Sequence, residues 1–344
     1  MDKGPCKRLS VILGAGASHD CVPYGVSPAN PTLRPPLAKD VFGIVFDEIL
    51  NHYPRVQGRS DEVRRRLQNG ENVEGILKDL LDCAERNNNN WFLDIPRYLR
   101  ELFWTISQVY LPMSSKYDTL VRRVLDYSFN EVLFLTLNYD LLLESAITRY
   151  DGEEFINLDS YIPSSKKWSL VKPHGSVNWA RTLENVPRNL SGHPLGPSGL
   201  RDAPSFGPEI KLVRWNRQHN DFYVPASMED HGYLYPQMVV PVDRPKEFVC
   251  PQSHTSRANS FMQACQNFLL IGFSAHDGDI LRLLEGIPRL SKLWIVSKGD
   301  GGEILNRMRS CIPGFVQKDL VTVVCDDGFS SYVDGVEFAR LVAA

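Results

Sequence analysis

The sequence predicts an α/β fold: a Rossmann-like parallel sheet with helices on both faces, plus an inserted helical block. Three observations carry this. The run RLSVILGAGASHD, Arg8 to Asp20, is an apolar strand that stops at Gly14 in a glycine-rich turn and enters a helix. That is how α/β proteins bring backbone N–H groups to a phosphate. Residues 256–325 alternate helix-like and strand-like runs, a pattern that gives a parallel sheet covered on both faces. Four strand-like runs end in small or polar residues, G-A-G-A-S, N-Y-D, H-G-S and G-F-S-A-H-D, and ligands of such sheets bind at the carboxyl ends of strands.

The first strand is expected over 9–13. Gly14 and Gly16 follow because a Cβ would hold a ligand off the backbone and resist the turn's dihedrals. The turn departs from G-x-G-x-x-G, since His19 stands where the third glycine would be. Residues 22–36 carry Pro23, Gly25, Pro28, Pro31, Pro35 and Pro36, a loop suited to a ligand-covering lid. Helical spacing of apolar residues predicts helices over 37–53, 73–84, 91–110 and 117–127, interrupted by the asparagines at 87–90. A strand over 132–137 then ends in Asn138-Tyr139-Asp140 before a helix over 141–147, and a run over 170–172 ends in Pro173-His174-Gly175. From 178 to 247 the chain reads as irregular, with short strands near 210–215 and 238–242. The tail reads as helix 256–266, strand 268–271 ending in Gly272-Phe273-Ser274, helix 279–285, strand 292–296, helix 303–309, strand 320–325 and a last helix closing near 342. The organisation expected is one catalytic domain, 1–344, with a helical subregion inserted at 37–127 and an irregular insertion at 178–247.

At 344 residues, 43% hydrophobic and 23% charged, the chain reads as a soluble globular protein, and a formal net charge of -3 argues against a strongly basic nucleic-acid surface. No apolar run approaches the ~20 residues that span a bilayer. The start, MDKGPCKRLS, lacks the apolar stretch of a signal peptide, so a cytoplasmic location is expected. The seven cysteines are scattered and form no C-x-x-C pair, which argues against both a disulfide framework and a zinc site.

Gly14-Ala-Gly-Ala-Ser18, Thr136-Leu-Asn-Tyr-Asp140, His174-Gly-Ser-Val-Asn-Trp179 and Ile271-Gly-Phe-Ser-Ala-His-Asp277 occur in that order over roughly 8–330. In this the chain resembles a sirtuin-type NAD-consuming enzyme, of the divergent bacterial branch associated with antiphage defence. The resemblance implies that Gly14, Ala15, Gly16 and Ser18 cradle the NAD pyrophosphate. It implies that Asn138 and Asp140 face the nicotinamide and its ribose, and that His174 acts on the ribose hydroxyls as general base. Gly272 and Ser274 would hold the far phosphate and the adenosine ribose. Ser297 and Asp326 join the adenosine end only because they follow strands. In the protein-deacylase branch a zinc ribbon of two cysteine pairs follows the H-G motif, whereas 178–247 here contains no cysteine. The segment that clamps an acyl-lysine peptide is also unrecognisable. The resemblance therefore implies an NAD+ glycohydrolase with NAD as substrate, water as acceptor and no metal, serving as an NAD-depleting effector. A protein deacylase and a non-catalytic subunit that senses NAD or ADP-ribose are the alternatives.

The residue types suit that chemistry. Cleavage of the nicotinamide–ribose bond passes through an oxocarbenium-like state, and a neutral leaving nicotinamide needs no strong acid. An amide such as Asn138 can position water or ribose, a carboxylate such as Asp140 can stabilise developing positive charge, and an imidazole moves protons near neutral pH. Plainer readings stand beside these. Asn138 and Asp140 also fit caps for the helix at 141, His174 fits a structural histidine before a tight turn, His276 and Asp277 fit a helix start rather than a catalytic pair, and Arg64, Arg65 and Arg66 fit a solvated helix face more than a protein or nucleic-acid contact. Trp179, Trp215 and Trp294 read as core, Trp179 also as an active-site wall. The helical block, with Trp91, Phe92 and Trp104, is the expected interface of a homo-oligomer. By resemblance, a separately encoded, HerA-like ATPase is a candidate regulator. No membrane association and no direct nucleic-acid binding are expected.

Overall fold

Runs such as VLFL at 132–135 are apolar at every position rather than every second one, and such strands need cover on both faces. In the computed structural model these four residues are fully buried. The structure describes residues 7–23, 33–87, 89–127, 129–184, 205–216, 221–223, 234–242, 248–287, 290–312 and 321–339. The strands are β1 Arg8–Leu13, β2 Glu131–Thr136, β3 Trp168–Val171, β4 Gly175–Glu184, β5 Ser205–Phe206, β6 Lys211–Leu212, β7 Arg214–Asn216, β8 Asp221–Tyr223, β9 Leu234–Met238, β10 Asn267–Ile271, β11 Lys292–Val296 and β12 Val321–Cys325. The α-helices are α1 Ala15–Cys21, α2 Asp47–Leu50, α3 Pro54–Gln68, α4 Val73–Arg86, α5 Ile95–Tyr110, α6 Lys116–Leu125, α7 Leu142–Asp151, α8 Gln252–Ala264, α9 Gly278–Glu285, α10 Gly301–Cys311 and α11 Phe329–Asp334.

The chain divides into two compact units. The first, residues 1–35, 107–174 and 245–344, holds a six-stranded sheet of order β12-β11-β10-β1-β2-β3. All its neighbours pair in parallel, so the Rossmann-like α/β class holds. The chain runs β1, β2, β3 to one side and returns to lay β10 on the other edge of β1. The order therefore reverses between β1 and β10, the switch point at which such sheets bind ligands. The second unit, 36–106 and 175–244, contains helices α3 and α4 and antiparallel strands, with β4 paired to β5, β6 and β9, and β7 to β8. The inserted helical block is thus shared, since 107–127 cluster with the parallel sheet and the division falls inside α5.

Several expectations are corrected. No continuous helix fills 37–53. Short 3-10 turns, Ala38–Asp40 and Ile44–Phe46, lead to the one-turn α2. The long helix comes next, opening with Pro54 at its first turn, where a missing N–H costs nothing. Its face buries only Val56, Ser60 and Val63, too narrow a stripe for periodicity to reveal. The ten-residue β4 runs into the stretch expected to be irregular, and the strand expected over 238–242 ends at Met238 instead. Trp91 is a core residue at 4% exposure, packed edge-on to Phe92 at 5.4 Å, so it offers no interface surface. Trp179 and Trp294 are buried as expected, while the Trp215 side chain lies outside the described residues. So do 24–32 of the expected lid, whose feet are tied by Arg34 Nη2 to Val22 O at 3.0 Å and Tyr110 Oη to Leu33 O, and the end of the last helix near 342.

At the switch point two turns meet backbone to backbone. Gly14 N–H donates to Ile271 O at 3.0 Å, and Gly16 N–H to Gly272 O at 3.2 Å. Gly272 has φ +58, and a Cβ there would lie 2.2 Å from Ala17 N and 2.7 Å from the Gly16 Cα. A Cβ on Gly14 would lie 2.4 Å from Gly272 O. Gly152, φ +72, has open space around it and isolates the dihedral cost. Gly152→Ala is expected to lower stability by about 1–2 kcal/mol, and Gly272→Ala by at least about 4 kcal/mol, read from urea unfolding. Equal losses would show that the turns yield to a methyl group.

Candidate active site

The loop after β2 is bound to the glycine turn by one amide. Asn138, 8% exposed, donates from Nδ2 to Gly14 O at 2.9 Å and to Ser18 Oγ at 2.9 Å, and lies 3.2 Å from Tyr117 Oη. Its Oδ1 makes no hydrogen bond among the described residues. Ser18 is 2% exposed, and its hydroxyl lies 3.0 Å from that of Tyr117. Burial pushes the Tyr117 phenol well above its ordinary range, so it stays a neutral hydroxyl. Ser18 is thus part of a buried cluster rather than an open phosphate ligand. The amides of Gly14 and Gly16 are also taken, by Ile271 O and Gly272 O, and that of Ala17 by Gly14 O. Among the turn's amides, that of Ala15 at the start of α1 makes no hydrogen bond within the described residues.

Asp140, 3% exposed, accepts the Leu142 N–H on Oδ1 at 3.1 Å, which satisfies a first-turn amide of α7. Its Oδ2 is buried with no hydrogen-bond partner among the described residues. Sequence reasoning missed what fixes this loop from behind. Lys172 is fully buried at the end of β3 and donates from Nζ to Asp140 O at 2.6 Å and Glu144 Oε1 at 2.7 Å. Burial pushes the Glu144 carboxyl up, and the Lys172 ammonium pulls it back. The only sequence signal was a lysine closing the apolar run SLVK and a glutamate inside LLLESAI.

His174, 8% exposed, follows β3 and meets Asp277 from the loop after β10. Nε2 and Oδ2 lie 3.0 Å apart, an ion-pair contact whose N–H is not aligned as a hydrogen bond. Strands β3 and β10 are three places apart in the sheet, about 14 Å at ordinary strand spacing. The contact therefore spans the carboxyl ends of β1 and β2. The crossing loop contains Ala275, fully buried at φ 55, a backbone region that non-glycine residues seldom adopt. Asp277 also starts α9, as the sequence suggests, while His276 is exposed. Ser274 is exposed, and its carbonyl accepts from Arg307.

At the other end of the sheet Ser297 Oγ donates to Asp326 Oδ1 at 2.7 Å, and the Gly301 N–H at the start of α10 donates to the same oxygen at 2.8 Å. The two strand-end candidates thus form one polar group. Among the described residues no group of three or more His, Cys, Asp or Glu side chains is placed to hold a metal ion.

No family model matches the chain, and no curated protein matches it. Among solved structures it is similar to a chain from work on the structural basis for the mechanism and regulation of Sir2 enzymes. The two are 11% identical, with a TM-score of 0.40, over 98% of this chain and 93% of that one. A likeness that distant assigns no activity to this chain.

Removing one partner of a buried ion pair strands the other charge. Lys172→Met is therefore expected to cost about 3–5 kcal/mol, while Lys172→Met with Glu144→Leu regains most of that loss. Thermal or urea unfolding of the two variants measures the difference. A single variant as stable as the double would show that Glu144 needs no counter-ion.

Proposed function

We propose that the chain is an NAD+ glycohydrolase, cleaving NAD with water to nicotinamide and ADP-ribose. The observation that supports this most is the His174–Asp277 contact spanning the ends of β1 and β2. It puts an imidazole and a carboxylate beside the switch point where α/β sheets take dinucleotides. In this reading the adenosine ribose lies toward Ser297 and Asp326. The pyrophosphate passes the Gly14–Gly272 junction, where no Cβ intervenes and the Ala15 amide is available. The nicotinamide ribose then reaches Asn138, Asp140 and His174.

The bond between the ribose C1′ and the nicotinamide nitrogen breaks, and its electron pair neutralises the leaving pyridinium. Positive charge develops on the sugar, and the buried Asp140 carboxylate opposes it electrostatically. Asn138 Oδ1, with no hydrogen bond among the described residues, accepts from the attacking water or a ribose hydroxyl. The proton released as water adds to C1′ goes to His174. Such an activity would deplete NAD, the role of an antiphage effector that the sequence resemblance implies.

Purified protein incubated with NAD alone is expected to release nicotinamide with no acetylated peptide present. His174→Ala and Asn138→Ala are each expected to lower that rate by at least ~10²-fold, the low end for a positioned proton-transfer group, with the fold checked by circular dichroism. Near-normal release by either folded variant would overturn that residue's role, and release that requires an acetylated peptide would point to a deacylase.

A further inference from the structure

We propose that Asp277 is the positioning residue for His174: it holds the imidazole in its Nε2–H form and so leaves Nδ1 as the basic nitrogen. The catalytic consequence rests on the NAD-cleavage reading, but the tautomer does not.

The carboxylate is itself held in place. Its Oδ1 accepts the N–H groups of Asp279 at 3.1 Å and Ile280 at 3.0 Å, capping the eight-residue α9. With Oδ1 committed to the cap, Oδ2 is the atom turned to His174 Nε2 at 3.0 Å. The two side chains are 10% and 12% exposed, so water screens the contact little. An ionised carboxylate only accepts, so the ring nitrogen facing it carries the hydrogen, and the opposite nitrogen keeps its lone pair. Nδ1 makes no hydrogen bond among the described residues and is not sealed from solvent, so that lone pair is available at the sheet edge. The Nε2–H lies off the line to Oδ2, as is common before a substrate tightens such contacts. A cap alone would need only Oδ1, and the second oxygen on His174 is what a purely structural aspartate would not require.

Asp277→Asn separates the two jobs. The amide oxygen still caps α9, whereas its NH2 now faces Nε2, which must accept. The ring is then driven to its Nδ1–H form and the base is lost. The experiment uses the full chain labelled with ¹⁵N- and ¹³C-histidine, with the His174 signal identified by its absence in His174→Ala. With the ring neutral, wild type is expected to show the Nε2–H tautomer and Asp277→Asn the Nδ1–H tautomer. The kcat for nicotinamide release is expected to fall by at least ~10²-fold, with KM for NAD changed far less. An Nδ1–H ring in wild type, or the same tautomer in both proteins, overturns the proposal. If wild type releases no nicotinamide, the NAD-cleavage reading fails, and the tautomer shift alone decides the role of Asp277.

Discussion

The meeting of two glycine turns at the centre of the sheet is the constraint on which the rest of this site depends. Gly14 and Gly16 lie against Gly272 so closely that no methyl group fits between them. The closeness fixes how the chain leaves β1 and β10. From the first turn, Gly14 O and Ser18 are presented to Asn138. From the second, residues 272–277 set out across the ends of two strands toward His174. A contact made only of backbone thus bears on two side chains, those of Asn138 and Asp277, that reach the ends of the neighbouring strands. This differs from the role the glycines were expected to play. The absent Cβ atoms serve the fit of turn on turn.

The parallel sheet was legible because its strands are apolar at consecutive positions and stop abruptly at Gly14, Asn138, Pro173 and Gly272. The residues at those stops are the candidate site, so most of it could be located without coordinates. Lys172 and Glu144 could not be paired in advance, because each sits in an apolar run and neither run says which strand or helix packs against it. Asp277 showed only its local job. A helix start needs an aspartate whether or not a histidine waits on the far side, and the sequence carries no mark of the second contact. Trp91 misled for a related reason. It follows a polar asparagine run, yet its ring turns inward against Phe92. The helix Pro54–Gln68 was hidden by its narrow buried stripe, and Arg64 and Arg66, read as solvated, are held by Asp47, Glu71 and Asp79.

Asp277 ties stability to geometry in a single carboxylate. One oxygen satisfies the first turn of α9 and the other meets the imidazole. Movement of α9 would therefore move the acid, and with it the orientation of His174. Lys172, two residues before His174, does a similar service, where a buried ammonium holds the carbonyl of Asp140 and the carboxylate of Glu144 together. This edge of the sheet is framed by charge placed behind the loops, while the turns in front stay small.

The cluster around Asn138 has an arithmetic of its own. One Nδ2 hydrogen goes to the Gly14 carbonyl, which leaves a single hydrogen for two hydroxyl oxygens, those of Ser18 and Tyr117. Either hydroxyl can donate to the other. If Asn138 serves Ser18 and Ser18 serves Tyr117, the phenolic hydrogen is left over. If it serves Tyr117 and the phenol serves Ser18, the seryl hydrogen is left over. Several proton arrangements of the same heavy atoms therefore compete, and each has a surplus donor. Exchanging them needs only two hydroxyl rotations. The joint between β1 and β2 thus holds one set of heavy atoms and more than one way of placing its hydroxyl hydrogens.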